Sequence, residues 1–270
     1  MAKSFASHFQ PGEKFKLAGI DTRDTCGLKD KDEAKAQTEK HAATIDALQD
    51  RLFAEGSRAL LVVLQGTDTS GKDGTVRGVF NTCGPLGVHV TPFKVPSEEE
   101  RAHDYLWRIH KAMPGKGYIG VFNRSHYEDV LVVKVKGFAK PDVIERRYGE
   151  INAFEKLISD NGVKILKFML HVSKDEQAQR LQDRVDDPTK HWKFNPGDLD
   201  DRKLWDDYQR AYEIAVQRCS TPYAPWHVIP ADRKWVRNAV IARIVKETLE
   251  DMNPQYPAAD GWDPKAVKVT

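Results

Sequence analysis

The chain has 270 residues, of which 40% are hydrophobic and 30% charged, and its formal net charge at pH 7 is +2. This composition excludes a disordered chain and suits one α/β domain with an inserted element, or at most two small domains. A net charge so close to zero also gives no overall signature of a nucleic-acid-binding protein, so any anion-binding site must depend on local placement of charge.

The predicted elements begin after an irregular N-terminal arm over residues 1–30. Residues 31–54 are predicted to form a helix, because apolar residues recur there at near-helical spacing. Short apolar runs then alternate with helical stretches, as in a parallel sheet that is buried on both faces. The predicted strands are residues 59–64, 88–95, 118–122, 163–172 and 226–229. Residues 253–270 are predicted to be a loosely attached C-terminal tail.

The segment that follows the first predicted strand has the spacing of a phosphate-binding loop. Its sequence, GTDTSGKDG, matches GxxxxGK between a buried strand and a helical stretch, which is the context that the motif requires. Glycines let successive backbone N–H groups point inward, the helix N-terminus adds partial positive charge, and the lysine reaches the outer phosphates. A glycine-rich turn that binds nothing is the disfavoured alternative. The candidate phosphate- and nucleotide-binding residues are Gly66, Thr67, Asp68, Thr69, Ser70, Gly71, Lys72, Asp73 and Gly74.

Two carboxylates make this loop unusual. Asp73 stands where a serine or threonine normally follows the lysine, and Asp68 lies inside the loop. A carboxylate about 4 Å from a phosphate charge costs roughly 4 kcal/mol at an effective dielectric of about 20, so both residues indicate a divalent cation between them and the phosphates. Asp73 has an equally good alternative role as a helix N-terminal carboxylate that the helix dipole stabilises. For Asp68 we favour a metal or catalytic role.

A second polar motif, NRSHYED, follows the third predicted strand. Because the carboxyl ends of parallel strands border the ligand crevice, we expect these side chains to face the phosphate loop. Arg124 is placed to stabilise charge on a transferring phosphoryl group, and Glu128 and Asp129 are candidate metal ligands or bases. The alternative for these two acids is a solvated helix start. We therefore expect Asp68, Lys72, Arg124 and Asp129 to be catalytic, with Asp68 and Asp129 at the metal.

The segment PTKHWKFNPGD interrupts the alternation of strands and helices. It is polar, bounded by proline and rich in lysine and aromatic residues, which is typical of a functional lid. We place this lid at about residues 184–203. Trp192 is predicted to anchor it against the core, while Lys190 and Lys193 face a polyanion. Arg184, on the preceding helix, is predicted to reach the reacting phosphate and to be catalytic.

Three long motifs together resemble the family-2 polyphosphate kinases. They are GTDTSGKDG, the stretch PGKGYIGVFNRSHYEDVL and the lid sequence DPTKHWKFNPGDL, and the resemblance covers about residues 30–250. It implies a thymidylate-kinase-like, three-layer α/β/α P-loop kinase domain over residues 31–252, with a parallel sheet and a lid. It also implies Mg²⁺, with Mn²⁺ as an alternative, polyphosphate as donor and a nucleotide as acceptor. The form NRSHYED resembles the subgroup that converts both AMP and ADP, reversibly, into ADP and ATP.

The strand end departs from the pattern of many family members. They have an aspartate where this chain has Asn123, a candidate nucleotide-binding residue together with Glu128. This difference puts a metal role for Asn123 in doubt and moves that role to Asp68 and Asp129. The resemblance assigns Arg184, Lys190 and Lys193 to the lid.

Polyphosphate has no bases to recognise, so its binding requires a line of lysine and arginine side chains. Outside the lid, Lys94 and Lys134 are candidates, although such lysines are equally often only solvated. Two other functions stay open: an ATP-dependent nucleoside or nucleotide kinase on the same core, and a non-catalytic nucleotide-binding regulatory protein. The second is disfavoured, because the sequence has no NKxD motif and a regulatory protein has no need of Arg124 beside the loop.

Targeting signals and cysteine spacing add further expectations. The sequence opens without an apolar secretory segment, and its longest apolar run, residues 59–64, is too short to span a membrane. The three cysteines fit no zinc pattern. We therefore expect a cytoplasmic enzyme whose partners are polyphosphate, AMP, ADP and ATP, with no nucleic-acid or membrane partner. We also expect a homo-oligomer, either a dimer or a tetramer.

Overall fold

The computed structural model describes residues 4–12, 15–261 and 266–269. Parallel strands form a sheet in the order β2-β3-β1-β4-β5. The strands are β1 (Ala59–Gln65), β2 (Val88–Pro92), β3 (Ile119–Asn123), β4 (Val163–His171) and β5 (Trp226–Pro230). The five predicted strands are confirmed with one main change. β2 ends at Pro92 rather than at residue 95, because its last pairing is with Asn123, the final residue of β3.

Helices connect these strands in chain order. The α-helices are α1 (Lys31–Glu55), α2 (Lys72–Val79), α3 (Glu98–Arg101), α4 (Trp107–Ala112), α5 (Val132–Val135), α6 (Pro141–Asp160), α7 (Lys174–Asp186), α8 (Gly197–Lys203), α9 (Trp205–Cys219) and α10 (Lys234–Met252). Short 3-10 helices cover Phe5–Phe9, Leu17–Gly19, His126–Asp129 and Pro188–Lys193. Asp30 caps α1 by accepting a hydrogen bond from the Glu33 N–H. Ser97 and Glu100 form a capping box at the start of α3.

Helices cover both faces of the sheet. β1 is buried along its whole length, and its side chains alternate between two hydrophobic clusters. Leu61 and Val63 belong to the cluster that contains residues of α6 and α9, whereas Leu60 and Val62 belong to the cluster that contains residues of α1 and α10. The predicted three-layer α/β/α class is therefore confirmed. Among the described residues, no helix combines the length and the apolar character that crossing a membrane requires.

Candidate active site

The phosphate loop joins β1 to α2 at the centre of the carboxyl edge of the sheet. Its backbone adopts positive φ at Gly66 (157°), Thr69 (61°) and Gly71 (104°). A Cβ atom at Gly71 would lie 1.7 Å from the guanidinium of Arg237, so glycine is required there by close packing as well as by conformation. The sequence motif is thus folded into the tight turn that lets successive N–H groups converge on an anion.

Several polar groups of this loop have no internal partner. The buried hydroxyls of Thr67, Thr69, Ser70 and Thr75 make no hydrogen bond within the described part of the chain. The Lys72 ammonium donates to the carbonyl oxygens of Gly66 (2.7 Å) and Thr67 (3.1 Å), so it lies folded across the loop. Because buried polar groups are normally paired, these atoms mark a place prepared for a polar ligand.

The environment of Lys72 makes its charge sensitive to pH. Burial, followed by the nearby guanidinium of Arg124, lowers the pKa of Lys72 to about 8. We expect kcat/KM for the phosphate-bearing substrate to fall as pH rises through about 8, because the free enzyme then loses the charge on Lys72. A pH–rate profile of wild type and of Lys72→Arg, whose side chain stays charged, tests this. An identical fall in both proteins would assign the titration to another group.

Arg124 connects the two predicted motifs. It is the residue after β3 and has a positive φ of 65°. Its guanidinium donates to the carboxylates of Asp68 (2.6 Å) and Glu128 (3.1 Å). Burial alone lowers the pKa of a guanidinium, but Glu128 and Asp68 hold the pKa of Arg124 above its ordinary value. The arginine therefore stays charged beside the phosphate loop, as the sequence predicts.

Asn123, the last residue of β3, contacts the loop carboxylate directly. Its amide donates to Asp73 Oδ1 at 2.6 Å. A carboxylate at position 123 would instead face Asp73 at contact distance, which is costly unless a cation lies between them. The neutral amide instead donates a hydrogen bond to Asp73 in the first turn of α2, where the helix dipole also favours a carboxylate.

The replacement Asn123→Asp tests this pairing. We expect a lower Tm in the presence of a chelator, recovery of Tm on adding Mg²⁺, and a Mg²⁺ titration of activity whose midpoint moves to lower concentration. Asn123→Ala, which removes the amide without adding charge, is the matched control. A response to Mg²⁺ that is the same in both variants would show that position 123 is only a spacer.

Two buried arginines support the loop and were not predicted from the sequence. Arg180 on α7 donates to the carbonyl oxygens of Thr69 (2.9 Å) and Ala231 (2.7 Å). Arg237 on α10 donates to the Ser70 carbonyl at 3.2 Å, and burial, followed by the charge of Arg180, lowers the pKa of Arg237 to about 9. Neither residue belongs to a sequence motif. Only the position of α7 and α10 directly after β4 and β5 could have pointed to them.

These groups border a cleft of about 470 Å³, here called the phosphate cleft. Its lining contains three aspartates, Asp68, Asp73 and Asp183. The cations that line it number nine: Lys72, Lys94, Arg124, Arg180, Arg184, Lys190, Lys193, Lys234 and Arg237. Such an excess of positive charge makes the cleft suited to a ligand with several negative charges. The predicted Lys94, Arg184, Lys190 and Lys193 are among them, so these four residues do meet at the loop.

The predicted lid consists of the 3-10 helix Pro188–Lys193 and helix α8. Arg184 donates to the Lys193 carbonyl at 3.0 Å, and Lys190 forms an ion pair with Asp187 at 2.7 Å. The prediction that Trp192 packs against the core is wrong. Its side chain is 77% exposed and lies under the Lys193 ammonium, 4.8 Å from the ring centroid. The indole forms a local cation–π pair with Lys193 instead of packing against the core. Lys190 and Lys193 nevertheless both line the phosphate cleft.

Two predicted site residues lie away from the phosphate cleft. Asp129 forms an ion pair with Arg147 at 3.3 Å and lines a separate cavity beside α6, and burial raises the pKa of Asp129 to about 6. Lys134 donates to the Tyr148 hydroxyl at 3.3 Å and lines another cavity. The structure therefore does not bring Asp129 together with Asp68 as a metal site, nor Lys134 to the polyanion. For Asp129 the reason is the 3-10 helix His126–Asp129, whose successive side chains point in different directions, whereas Lys134 lies on α5.

Glu128 occupies an intermediate place. It contacts Arg124, and it lines a narrow cavity together with Trp205, Tyr208 and Tyr212. Glu128 therefore contacts the site through Arg124, and it lines the narrow cavity rather than the phosphate cleft.

A buried polar network holds the 3-10 helix that follows Arg124. The Lys167 ammonium, on β4, donates to Glu155 (2.5 Å), to the Tyr127 hydroxyl (2.8 Å) and to the Cys219 carbonyl (2.6 Å). Glu155 also accepts a hydrogen bond from Tyr127 at 2.8 Å. Lys167, Glu155 and Tyr127 have no exposed surface. Since Tyr127 lies between Arg124 and Glu128 in the chain, this network fixes the segment that directly follows Arg124.

The described residues offer a small set of ligands for a cation. Within the described residues, no group of three or more histidine, cysteine, aspartate or glutamate side chains is arranged to hold a metal ion. Asp68 and Asp73 nevertheless both line the phosphate cleft. Mg²⁺ is commonly held by one or two carboxylates together with substrate phosphates, so this small set fits a cation that arrives with a phosphorylated substrate.

Comparison with known proteins finds relatives over nearly the whole chain. A sequence model of the family Polyphosphate kinase 2 (PPK2) matches residues 28–257. An AMP/ADP-polyphosphate phosphotransferase of Meiothermus ruber is 49% identical over 263 residues, covering 96% of this chain and 97% of that protein. An ADP-polyphosphate phosphotransferase of Rhodopseudomonas palustris is 40% identical over 226 residues, covering 78% and 77%. The crystal structure of polyphosphate kinase 2 from Arthrobacter aurescens superposes with a TM-score of 0.94 at 45% identity, covering 98% of this chain and 95% of that one.

Proposed function

Because this chain belongs to the polyphosphate kinase 2 family, we propose that it transfers a phosphoryl group between polyphosphate and an adenine nucleotide, AMP or ADP, in either direction. The observation that carries the proposal is the phosphate cleft, where nine cations and three carboxylates surround a phosphate-binding loop. Polyphosphate, with about one negative charge per phosphate, complements the positive charge of this cleft better than an uncharged nucleoside does.

The strand order divides the residues that line the cleft into two groups, and we assign one substrate to each group. β1 and its loop lie at the centre, with β2 and β3 on one side and β4 and β5 on the other. The cations that follow β4 and β5 are Arg180, Arg184, Lys190, Lys193, Lys234 and Arg237. We assign polyphosphate to that side. The nucleotide phosphate is assigned to the side of Lys94 and Asn123, which follow or end β2 and β3.

The chemical step then uses the chain's own residues. A terminal oxygen of the nucleotide attacks the last phosphorus of polyphosphate, and the bond to the remaining chain breaks, so that polyphosphate becomes one phosphate shorter. Lys72 and the loop N–H groups hold the transferring phosphoryl group, and Arg124 neutralises the charge that develops between donor and acceptor. The lid excludes water, which would otherwise accept the phosphoryl group.

Mg²⁺ completes the proposed site, with Mn²⁺ as an alternative. Asp68 and Asp73, which line the cleft, would hold it together with substrate oxygens. When bound, the cation would neutralise phosphate charge and so remove the repulsion between these carboxylates and the substrates. A cytoplasmic location, a homo-oligomer, and the absence of nucleic-acid and membrane partners stay predictions.

The test of this function is a choice of donor. Purified protein is incubated with Mg²⁺ and AMP or ADP, once with polyphosphate and once with ATP as the added donor, and the nucleotides are separated by anion exchange. We expect polyphosphate alone to convert AMP to ADP and ADP to ATP. If the nucleotides stay unphosphorylated with polyphosphate while ATP supports transfer to an acceptor, the protein is an ordinary ATP-dependent kinase.

The lid leads to a further prediction. Lys190→Ala with Lys193→Ala should raise KM for polyphosphate severalfold and reduce the slope of log KM against log salt concentration by about 1 to 1.5, because fewer counterions are released on binding. Arg184→Ala should mainly lower kcat, because its contact is expected to be strongest in the transition state. Steady-state kinetics across a salt series measures both. If the double-lysine variant keeps the wild-type KM and salt slope, the lid lysines do not bind the donor.

A further inference from the structure

A second cavity lies beside the phosphate cleft. It has a volume of about 610 Å³ and is lined by residues of α1, of the end of α2 and of the start of α10, and it is called here the α1–α10 cavity. Lys234, the first residue of α10, lines both this cavity and the phosphate cleft. The two cavities therefore adjoin at Lys234. The reaction proposed above does not use the α1–α10 cavity.

The lining of the α1–α10 cavity offers several groups to an anion. Lys31 and Lys35 lie one turn apart on α1, and Arg233 and Lys234 lie at the start of α10. Lys31, Lys35 and Lys234 are exposed. The cavity is also lined by the neutral hydrogen-bonding residues Thr38, Asn81, Thr82 and Asn238. An anion that entered it would meet both charge and uncharged polar groups.

The two carboxylates of the lining are already engaged. Asp232 is buried and accepts hydrogen bonds from the Thr22 hydroxyl and the Ser173 N–H, both at 2.8 Å. Glu39 lies 3.9 Å from the Lys35 ammonium. Lys35 is thus paired with Glu39, but the cations of the described lining, Lys31, Lys35, Arg233 and Lys234, outnumber its two carboxylates.

A polymeric donor would extend beyond the phosphate cleft and could reach this second cavity. Only the terminal phosphate of polyphosphate reacts, so the rest of the chain has to leave the phosphate cleft along some path. α10 packs closely against the loop and α2: a Cβ atom at Gly74 would lie 3.0 Å from Arg237, and one at Gly78 only 2.2 Å from Asn238. α10 thus lies directly against the loop and α2, and Lys234, its first residue, lines the cavity on each side of this contact.

We propose that polyphosphate leaves the phosphate cleft over Lys234 and that the α1–α10 cavity binds a distal stretch of the same chain, through Lys31, Lys35 and Arg233. This inference rests on the proposed function, because it requires polyphosphate to be the donor. A line of separate cations suits a linear polyanion, whose charges recur along its length. The reacting end and the distal stretch are then held by different parts of the fold.

The experiment compares donors of different length. Wild type, the double variant Lys31→Ala/Lys35→Ala and the control Lys40→Ala/Lys116→Ala are assayed with ADP and either tripolyphosphate or long-chain polyphosphate. Lys40 and Lys116 are exposed and line neither cavity, so the control removes the same two charges elsewhere. Salt dependence of long-chain binding is measured in parallel, as a readout independent of turnover.

We expect the Lys31/Lys35 variant to raise KM for the long chain roughly threefold to tenfold, as the loss of two exposed ion pairs allows. Its salt slope should fall by about 1 to 1.5, while tripolyphosphate kinetics and kcat stay unchanged. Equal KM values in the variant and the control with the long chain would overturn the proposal. So would a raised KM for ADP with an unchanged KM for long polyphosphate, which would assign the cavity to a nucleotide. If wild type uses neither polyphosphate, the proposed function itself fails.

Discussion

Replacing Arg124 by alanine is expected to lower kcat by on the order of 10³-fold or more, with a much smaller change in KM for polyphosphate. The guanidinium lies between the loop carboxylate Asp68 and the following acid Glu128, and the positive φ of its backbone fixes its place at the end of β3. It is therefore oriented before substrate binds. A preorganised charge contributes most where negative charge develops, which is in the transition state.

Arg124→Lys refines this prediction. It keeps the positive charge but loses the planar fork that meets Asp68 and Glu128 together, so we expect only partial recovery of kcat. Arg210→Ala is the matched control, because that arginine is exposed on α9 and pairs with Asp207. Circular dichroism and Tm establish that each variant is folded. An Arg124→Ala enzyme with a kcat within about tenfold of wild type would remove Arg124 from the transition state.

Lys167→Ala is expected to lower the free energy of unfolding by about 3–5 kcal/mol. The lysine ammonium and the Glu155 carboxylate are both fully buried and lie 2.5 Å apart. Removing the lysine leaves a buried carboxylate without its cation, together with a Tyr127 hydroxyl that loses one of its contacts. Urea unfolding monitored by fluorescence measures the change. Lys164→Ala is the control, because Lys164 lies on the same strand but is exposed.

The double variant Glu155→Leu/Lys167→Met separates charge from packing. Replacing a buried ion pair by apolar side chains of similar volume is often neutral or stabilising, so we expect part of the lost stability to return. Recovery should be incomplete, because the buried Tyr127 hydroxyl then loses both of its partners. We expect kcat to be below the wild-type value in Lys167→Ala and in the double variant, because the 3-10 helix that carries Tyr127 is no longer held in one orientation. If Lys167→Ala costs no more than Lys164→Ala, the network does not stabilise the fold. If the double variant regains full kcat, the network does not position Arg124.

Parts of this site follow from sequence because local chemistry decides them. The glycines of the phosphate loop act over a few residues, and Gly66 and Gly71 adopt the positive φ that the predicted turn requires. Arg124 and Asp68 were assigned to one crevice because adjacent parallel strands end at one edge of a sheet, and the structure places them in contact.

Other parts depend on contacts between distant segments. Arg180 and Arg237 reach the loop only because α7 and α10 pack beside it. Neither helix carries a sequence motif that predicts this contact. Asp129 follows Glu128 directly in the chain, yet the short 3-10 helix points it towards Arg147. The sequence predicts Trp192 as an apolar anchor of the lid against the core, whereas the side chain lies exposed under Lys193. Side-chain direction in short irregular segments is decided by tertiary packing rather than by the neighbouring residues.

The central claim is that a phosphoryl group passes directly from polyphosphate to the nucleotide within the phosphate cleft. ³¹P NMR of the protein with polyphosphate, ADP and Mg²⁺, and without ATP, tests it most directly. We expect the γ-phosphate signal of ATP to grow as the internal polyphosphate signal declines, with no orthophosphate, and Arg124→Ala to slow both changes together. Orthophosphate that accumulates in place of ATP, or polyphosphate that stays intact while ADP is present, would contradict it.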